Sequence, residues 1–130
     1  MDCVFDKIVS GEIPCHKVYE DDTTLAFLDV SPQSKGHTMV IPKIHGETLF
    51  DVDPAGLLEA VKKTMQRIQD VLNPDGFNVG WNHNTAGGQV VPHLHIHIMP
   101  RWNGDGGGNM HSIIDSPSDV DEVAKLFEQI

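Results

Sequence analysis

Residues 92–100 read Pro92-His93-Leu94-His95-Ile96-His97-Ile98-Met99-Pro100, and from 93 to 98 imidazole and apolar side chains alternate without exception. A period of two turns the three histidines to one face of a strand and Leu94, Ile96 and Ile98 to the other, so the spacing predicts a strand over 92–99 with its apolar side on a core. Successive imidazoles on that face start about 6.6 Å apart and the outer two about 13 Å apart, too far to converge on one metal ion unless the strand bends. A linear row suits an extended ligand. Polar alternation on a strand is commonly just a solvated face. Three histidines in register, preceded by Gly87-Gly88-Gln89 and fenced by two prolines, point to a site instead.

Working outward, Phe77 to Asn82 reads as the preceding strand, and the polar loop 83–89 between them is too long for a tight hairpin. Before it, Asp53 as N-cap and Pro54 at the first helical position open a long helix. Its apolar stripe Leu57, Leu58, Val61, Met65, Ile68 and Leu72 ends at Asn73-Pro74. Three extended stretches, Lys17 to Glu20, Leu25 to Val30 and Thr38 to Ile41, are separated by turn-rich segments and predict an antiparallel meander. Phe5, Ile8 and Val9 followed by Gly11 predict a short helix closed by a left-handed glycine. Asn103 to Asn109 opens a glycine-rich tail over 103–117 that reads as mobile, and Ser118 with Asp121 forms a capping box for a short last helix over 119–129. Strands, one long helix and strands again define an α+β fold with an antiparallel sheet of about five strands rather than a parallel βαβ sheet. No repeat or internal boundary divides the chain, which reads as a single domain over 1–130.

The 130 residues carry nine Lys+Arg against nineteen Asp+Glu, a formal net charge of −10 that repels polymeric nucleic acid and an anionic membrane alike. No apolar run is long enough to cross a bilayer, the first residues lack the basic flank of a signal peptide, and two cysteines are too few for a disulfide scaffold. The expected location is the cytoplasm. Eight histidines, as many as Phe, Trp and Tyr together, are the compositional excess. Neutral imidazole near pH 7 is a nucleophile that needs no separate base, since its unperturbed pKa is about 6.5. His95, the middle ring, is the candidate nucleophile. Glycines 87 and 88 let backbone N–H groups approach phosphate oxygens, and Asn82 and Gln89 add neutral donors.

The run His93-Leu94-His95-Ile96-His97-Ile98 resembles the motif of the histidine triad (HIT) family, in its bacterial-type branch. Phe5-Asp6-Lys7-Ile8-Val9, Gly11-Glu12-Ile13-Pro14, Ala26 to Gln33 and His37 through Pro42-Lys43 to His45 fit the same pattern. The resemblance implies a small α+β fold, a homodimer, and a hydrolase or transferase acting on nucleotides through a histidine-nucleotidyl intermediate. It covers residues of about 2 to 102. By that resemblance His95 attacks the α-phosphorus, His97 touches the phosphate and assists the leaving group, and His93 supports the row. Asp29 takes the ribose hydroxyls, for which the plain alternative is an Asx turn before Ser31-Pro32. Asn82, Gln89 and the backbone near Val90 hold phosphate, Phe5, Ile8, Ile13 and Phe27 wall a purine-sized base pocket, and His37 backs the triad. The apolar four are equally readable as core.

The implied substrates are nucleoside phosphoramidates or related nucleotidyl conjugates, with dinucleoside polyphosphates as the alternative. Arg101 is the candidate contact for a polyphosphate. No cofactor is required for that route. The resemblance also places Cys3, Asp6, His45 and His93 where related bacterial proteins hold a structural zinc, with Asp6 standing for a cysteine; Asp is an acceptable zinc ligand. Competing functions are a nucleotide-binding regulatory module with incidental activity and a metalloprotein using the histidines as ligands. His16, His83 and His111 receive no role.

Overall fold

The computed structural model describes residues 3–128. The meander folds as expected: β1 (Lys17–Glu20), β2 (Thr24–Leu28) and β3 (Thr38–Pro42) are antiparallel neighbours, and β5 (Ile96–Arg101) and β4 (Gly76–Gly80) complete a five-stranded sheet in the order β1-β2-β3-β5-β4. Every pairing is antiparallel. The period of two gives the sheet two apolar faces. Ala26, Val40, Ile96 and Ile98 face Leu57, Ala60, Val61 and Ile68 of the long helix α2 (Leu57–Leu72), and Leu94 joins this cluster. Leu25, Phe27, Met39 and Ile41 face the other way, against Phe5 of α1 (Val4–Ser10). Val40, Ile41 and Ile98 are fully enclosed, and burying such side chains contributes about 1.5–3 kcal/mol each.

Several boundaries differ from the sequence reading, each for a local reason. Helix α2 begins at Leu57 behind Gly56, which sits in the left-handed region at φ 77°; Asp53 caps a preceding turn, accepting from Ala55 N–H at 3.0 Å. Leu58 lies about 100° around the helix from Leu57 and is 80% exposed, so it leaves the core stripe. Asn73 ends the helix at φ 50°, its N–H returning to Gln69. β2 stops at Leu28, and β4 covers 76–80 rather than 77–82. The last helix, α3 (Val120–Phe127), is capped by Asp119, which accepts from the N–H groups of Asp121 and Glu122, and not by Ser118. Its expected end at residue 129 lies outside the described residues.

The strand expected over 92–99 is also corrected. β5 starts at Ile96, whereas 91–95 are irregular: His93 N–H folds back to the Val91 carbonyl at 2.9 Å and Leu94 N–H reaches Gly46 at 2.8 Å. The glycine-rich loop expected to be mobile is tied down by a hub at Asp105. Its carboxylate accepts two hydrogen bonds from the Arg101 guanidinium and others from the N–H groups of Trp102 and Gly107. Among the described residues no helix is long and apolar enough to cross a membrane.

Candidate active site

The irregular backbone ahead of β5 splits the histidine row. His93 is fully buried and its ring turns toward α1, while His95, 7% exposed, and half-buried His97 stay together with ring centroids 4.9 Å apart. The expected line of three equally spaced rings is therefore a pair plus one. His97 faces the same side of the sheet as Met39, its partner on β3, away from α2.

Main-chain groups, and for His97 the ring of His37, determine which nitrogen of each ring holds the proton. A carbonyl can only accept, so the 2.8 Å contact from His95 Nδ1 to the His93 carbonyl puts the His95 proton on Nδ1 and leaves Nε2 with a free lone pair. The Gln33 N–H donates to His37 Nδ1 at 3.1 Å, so a neutral His37 carries its proton on Nε2. That proton is donated to His97 Nδ1 at 2.9 Å, which leaves the His97 proton on Nε2. His93 Nε2–H donates to the Pro42 carbonyl at 2.9 Å, and its Nδ1 is bare. One ring thus presents a lone pair and its neighbour presents an N–H. Burial keeps His97 neutral, lowering its pKa to about 4 with help from His95 and His37. Burial also lowers His37 and His93, against the pull of Asp29 on the first and of the Pro42 hydrogen bond and Asp6 on the second. The sequence showed the imidazoles; it gave no sign of the three main-chain partners, because any residue type supplies a carbonyl or an N–H.

Phe5 is 5% exposed and stands edge-on to Phe27, His93 and His95 at 5.8, 5.7 and 5.1 Å. Ile8 packs with the same cluster, and Ile13 is half-buried. Asp29 makes the Asx turn, accepting from Ser31 N–H at 2.9 Å through Oδ1, and also directs Oδ2 to within 3.7 Å of His37 Nε2. The Asx turn is therefore present, and it occupies only one of the two carboxylate oxygens. The loop 83–89 turns several of its polar groups onto itself. The N–H groups of Gly87, Gly88 and Gln89 close onto Asn84 and Thr85 carbonyls. The Gln89 side chain accepts from Asn84 N–H and donates to the carbonyls of Glu47 and Val91, so it staples the loop to residue 47. Asn82 is exposed beside Gly88, and Val90 is 88% exposed.

Arg101 is likewise spent: besides the Asp105 fork, one terminal nitrogen donates to Asn78 Oδ1 and the Gly108 carbonyl. Asp105 raises its pKa further. The guanidinium organises the tail, with its hydrogen bonds directed to Asp105, Asn78 and Gly108. A cavity of about 700 Å³ lies beside it, bordered by Gln33, Met99, Met110 and Ile113 and separate from the rings of the histidine pair. The cavity lining does not include His95 or His97, whose rings lie next to one another.

On the other side of His93, Cys3 Sγ, Asp6, His45 and His93 offer four donor atoms all within 4.8 Å of one another. His93 Nδ1, the bare nitrogen, faces Cys3 Sγ at 3.6 Å and Asp6 Oδ1 at 3.4 Å. His45 Nδ1 and Asp6 Oδ2 approach to 2.9 Å, yet both are buried without a hydrogen-bond partner of acceptable geometry. Orphaned donors beside a thiol, with a backbone carbonyl orienting His93 from behind, fit a divalent ion of the zinc class. Asp29, His37 and His97 also cluster, but there the shared His37 proton accounts for the approach.

A sheet of this order carrying a main-chain-oriented histidine marks a class of histidine-bearing α+β domains, and comparison with known proteins gives it a family. The HIT domain model matches residues 10–104. An adenosine 5'-monophosphoramidase of Schizosaccharomyces pombe is 44% identical over 133 residues, spanning all of this chain and 96% of that protein. An adenylylsulfatase of Arabidopsis thaliana is 45% identical over 107 residues, which is 80% of this chain and 54% of that one. The crystal structure of a HIT family member from Bacillus subtilis superimposes with a TM-score of 0.80 at 38% identity, covering 99% of this chain and 96% of the other. The chain belongs to the HIT family.

Proposed function

We propose that this protein is a nucleotide hydrolase or transferase that cleaves at the α-phosphate of nucleoside phosphoramidates or related nucleotidyl conjugates through a nucleotidyl-His95 intermediate. The observation that carries this reading is the complementary pair of ring nitrogens, a lone pair on His95 Nε2 beside an N–H on His97 Nε2. His95 Nε2 attacks phosphorus and the bond to the leaving amine breaks, the amine taking a proton from water. The His95 Nδ1–H bond to the His93 carbonyl stabilises the cationic ring that results. His97, neutral because it is buried, donates a hydrogen bond to the phosphoryl group and keeps its proton. Water then attacks the phosphorus and gives up a proton, which neutralises the hydroxide left when the amine was protonated, the P–N bond returns its electron pair to Nε2, and a nucleoside monophosphate leaves.

Positioning and charge stabilisation carry most of such a reaction. Asp29, with Oδ2 facing the histidines, is the ribose contact in this reading, and Phe5, Ile8, Ile13 and Phe27 wall the base. Asn82 and the open backbone at Val90 hold phosphate, and Gln89 acts by shaping their loop. The relatives acting as a phosphoramidase and an adenylylsulfatase support a nucleotidyl substrate with a small leaving group. The engagement of Arg101 by Asp105 counts against the dinucleoside polyphosphate alternative, which loses its candidate cation. Quenching the enzyme during turnover of a labelled substrate panel, followed by mass spectrometry, tests the reading. A nucleotidyl group on His95 is expected; full turnover by His95→Ala would falsify it.

Cys3, Asp6, His45 and His93 would hold a zinc-class ion, which when bound supplies a cross-link and no step of the reaction. A homodimer is supported by the free outer edge of β4 and by the apolar groove beside it, about 430 Å³ and bordered by Leu58, Val61, Met65 and Phe77. Helix α3 adds exposed Val120, Leu126 and Phe127; eight residues are too few for a stable isolated helix, so a second copy is a fitting surface for them.

A further inference from the structure

His93 belongs to two assemblies at once. Its ring lies among the donors Cys3, Asp6 and His45, while its carbonyl holds the Nδ1 proton of His95 at 2.8 Å. Phe5 repeats the arrangement from the side of α1: it lies in the sequence between Cys3 and Asp6, and its ring edge touches both His93 and His95. Helix α1 has seven residues and no side-chain N-cap, and a helix of that length is not stable by itself. What orients it over the histidines is the burial of Phe5 together with the Cys3 and Asp6 contacts to His45 and His93.

We propose that the Cys3–Asp6–His45–His93 cluster is a positioning device for His95, in which a bound divalent ion fixes both Phe5 and the His93 carbonyl, so that metal and nucleotide bind cooperatively. The idea rests on the nucleotide reading above for its second ligand. An ion held by ligands on α1, on residue 45 and on residue 93 cross-links three separated stretches of chain around the His93 peptide. With these atoms fixed, the base-side wall and the nucleophile's tautomer are set before the nucleotide arrives. Nucleotide then binds at a lower ordering cost, and linkage requires it to tighten the metal by the same factor.

The experiment uses the untagged full chain after chelator treatment. Calorimetric titration measures AMP binding with and without Zn²⁺ and Zn²⁺ binding with and without AMP, while ¹⁵N-histidine spectra report the His95 ring. Expected is a gain of about fivefold or more in AMP affinity with zinc, the reciprocal gain for zinc, and collapse of the His95 signals to one Nδ1–H species. His45→Ala should lose the zinc response and the gain in AMP affinity together. Equal AMP affinities with and without zinc, absence of zinc binding to the folded chain, or a gain that survives His45→Ala would each overturn the coupling. If AMP fails to bind in either state while zinc still orders the His95 ring, positioning stands and the nucleotide reading fails.

Discussion

His95 holds its proton on Nδ1 and His97 on Nε2, and the proposed chemistry depends on both assignments. His95→Ala is expected to lower turnover of an adenosine phosphoramidate by at least about 10³-fold, measured by product release under saturating substrate. His37→Ala removes the donor that fixes His97, and a ring free to adopt the wrong tautomer should cost about 10²- to 10⁴-fold in kcat with a smaller change in KM. The buried rings also set a pH dependence of stability. His97 titrates at about 4 in the fold against about 6.5 when free, so between those values the unfolded chain binds more protons. Its stabilising effect is complete above about pH 6.5 and is lost as pH falls toward 4, and melting temperatures across that range should show the decline. His97→Asn should reduce the decline, the remainder coming from His37 and His93, which burial also lowers. At this scale the imidazole residues were legible because alternation is a sequence property. The inward turn of Gln89 and the capture of Arg101 by Asp105 were not, since they depend on loop paths that follow no period.

The elements were legible wherever a period met a clear stop: β1 matches its expected range, and Gly11 closes α1 at φ 84°. The reading failed where two signals competed. Asp53-Pro54 is a sound helix start by itself, yet Gly56 in the left-handed region restarts the chain three residues later. Over 92–95 perfect alternation met a main chain drawn off the sheet by Gly46 and Val91, which the side-chain pattern does not encode. The turn between β2 and β3 offers a test. Gly36 has φ 83°, and a Cβ there would lie 2.4 Å from Leu72 Cδ1 and 3.4 Å from Pro100. Gly36→Ala should therefore destabilise the fold by about 1–3 kcal/mol in denaturant unfolding, and the loss reaches the site because His37 is the next residue.

For the whole molecule, charge and edges matter more than any single contact. A formal charge of −10 makes copies of the chain repel one another, so the proposed dimer requires a local apolar surface, for which the α2–β4 groove is the candidate. Leu58→Glu lies on that groove at a position 80% exposed, so the chain should fold normally while sedimentation velocity, if the proposed dimer forms through this surface, shows a shift to monomer. An unchanged sedimentation coefficient at equal concentration would remove this surface from the interface.

The orientation of three of the four histidines is written in the main chain, Pro42 and His93 contributing carbonyls and Gln33 an amide, and His97 takes its own from the His37 ring. Such main-chain groups survive almost any substitution at their own positions. A chain of this architecture can consequently change many side chains around the rings, exchanging pocket walls and tails, while the protonation pattern that gives His95 a lone pair and His97 an N–H is kept by the backbone together with His37.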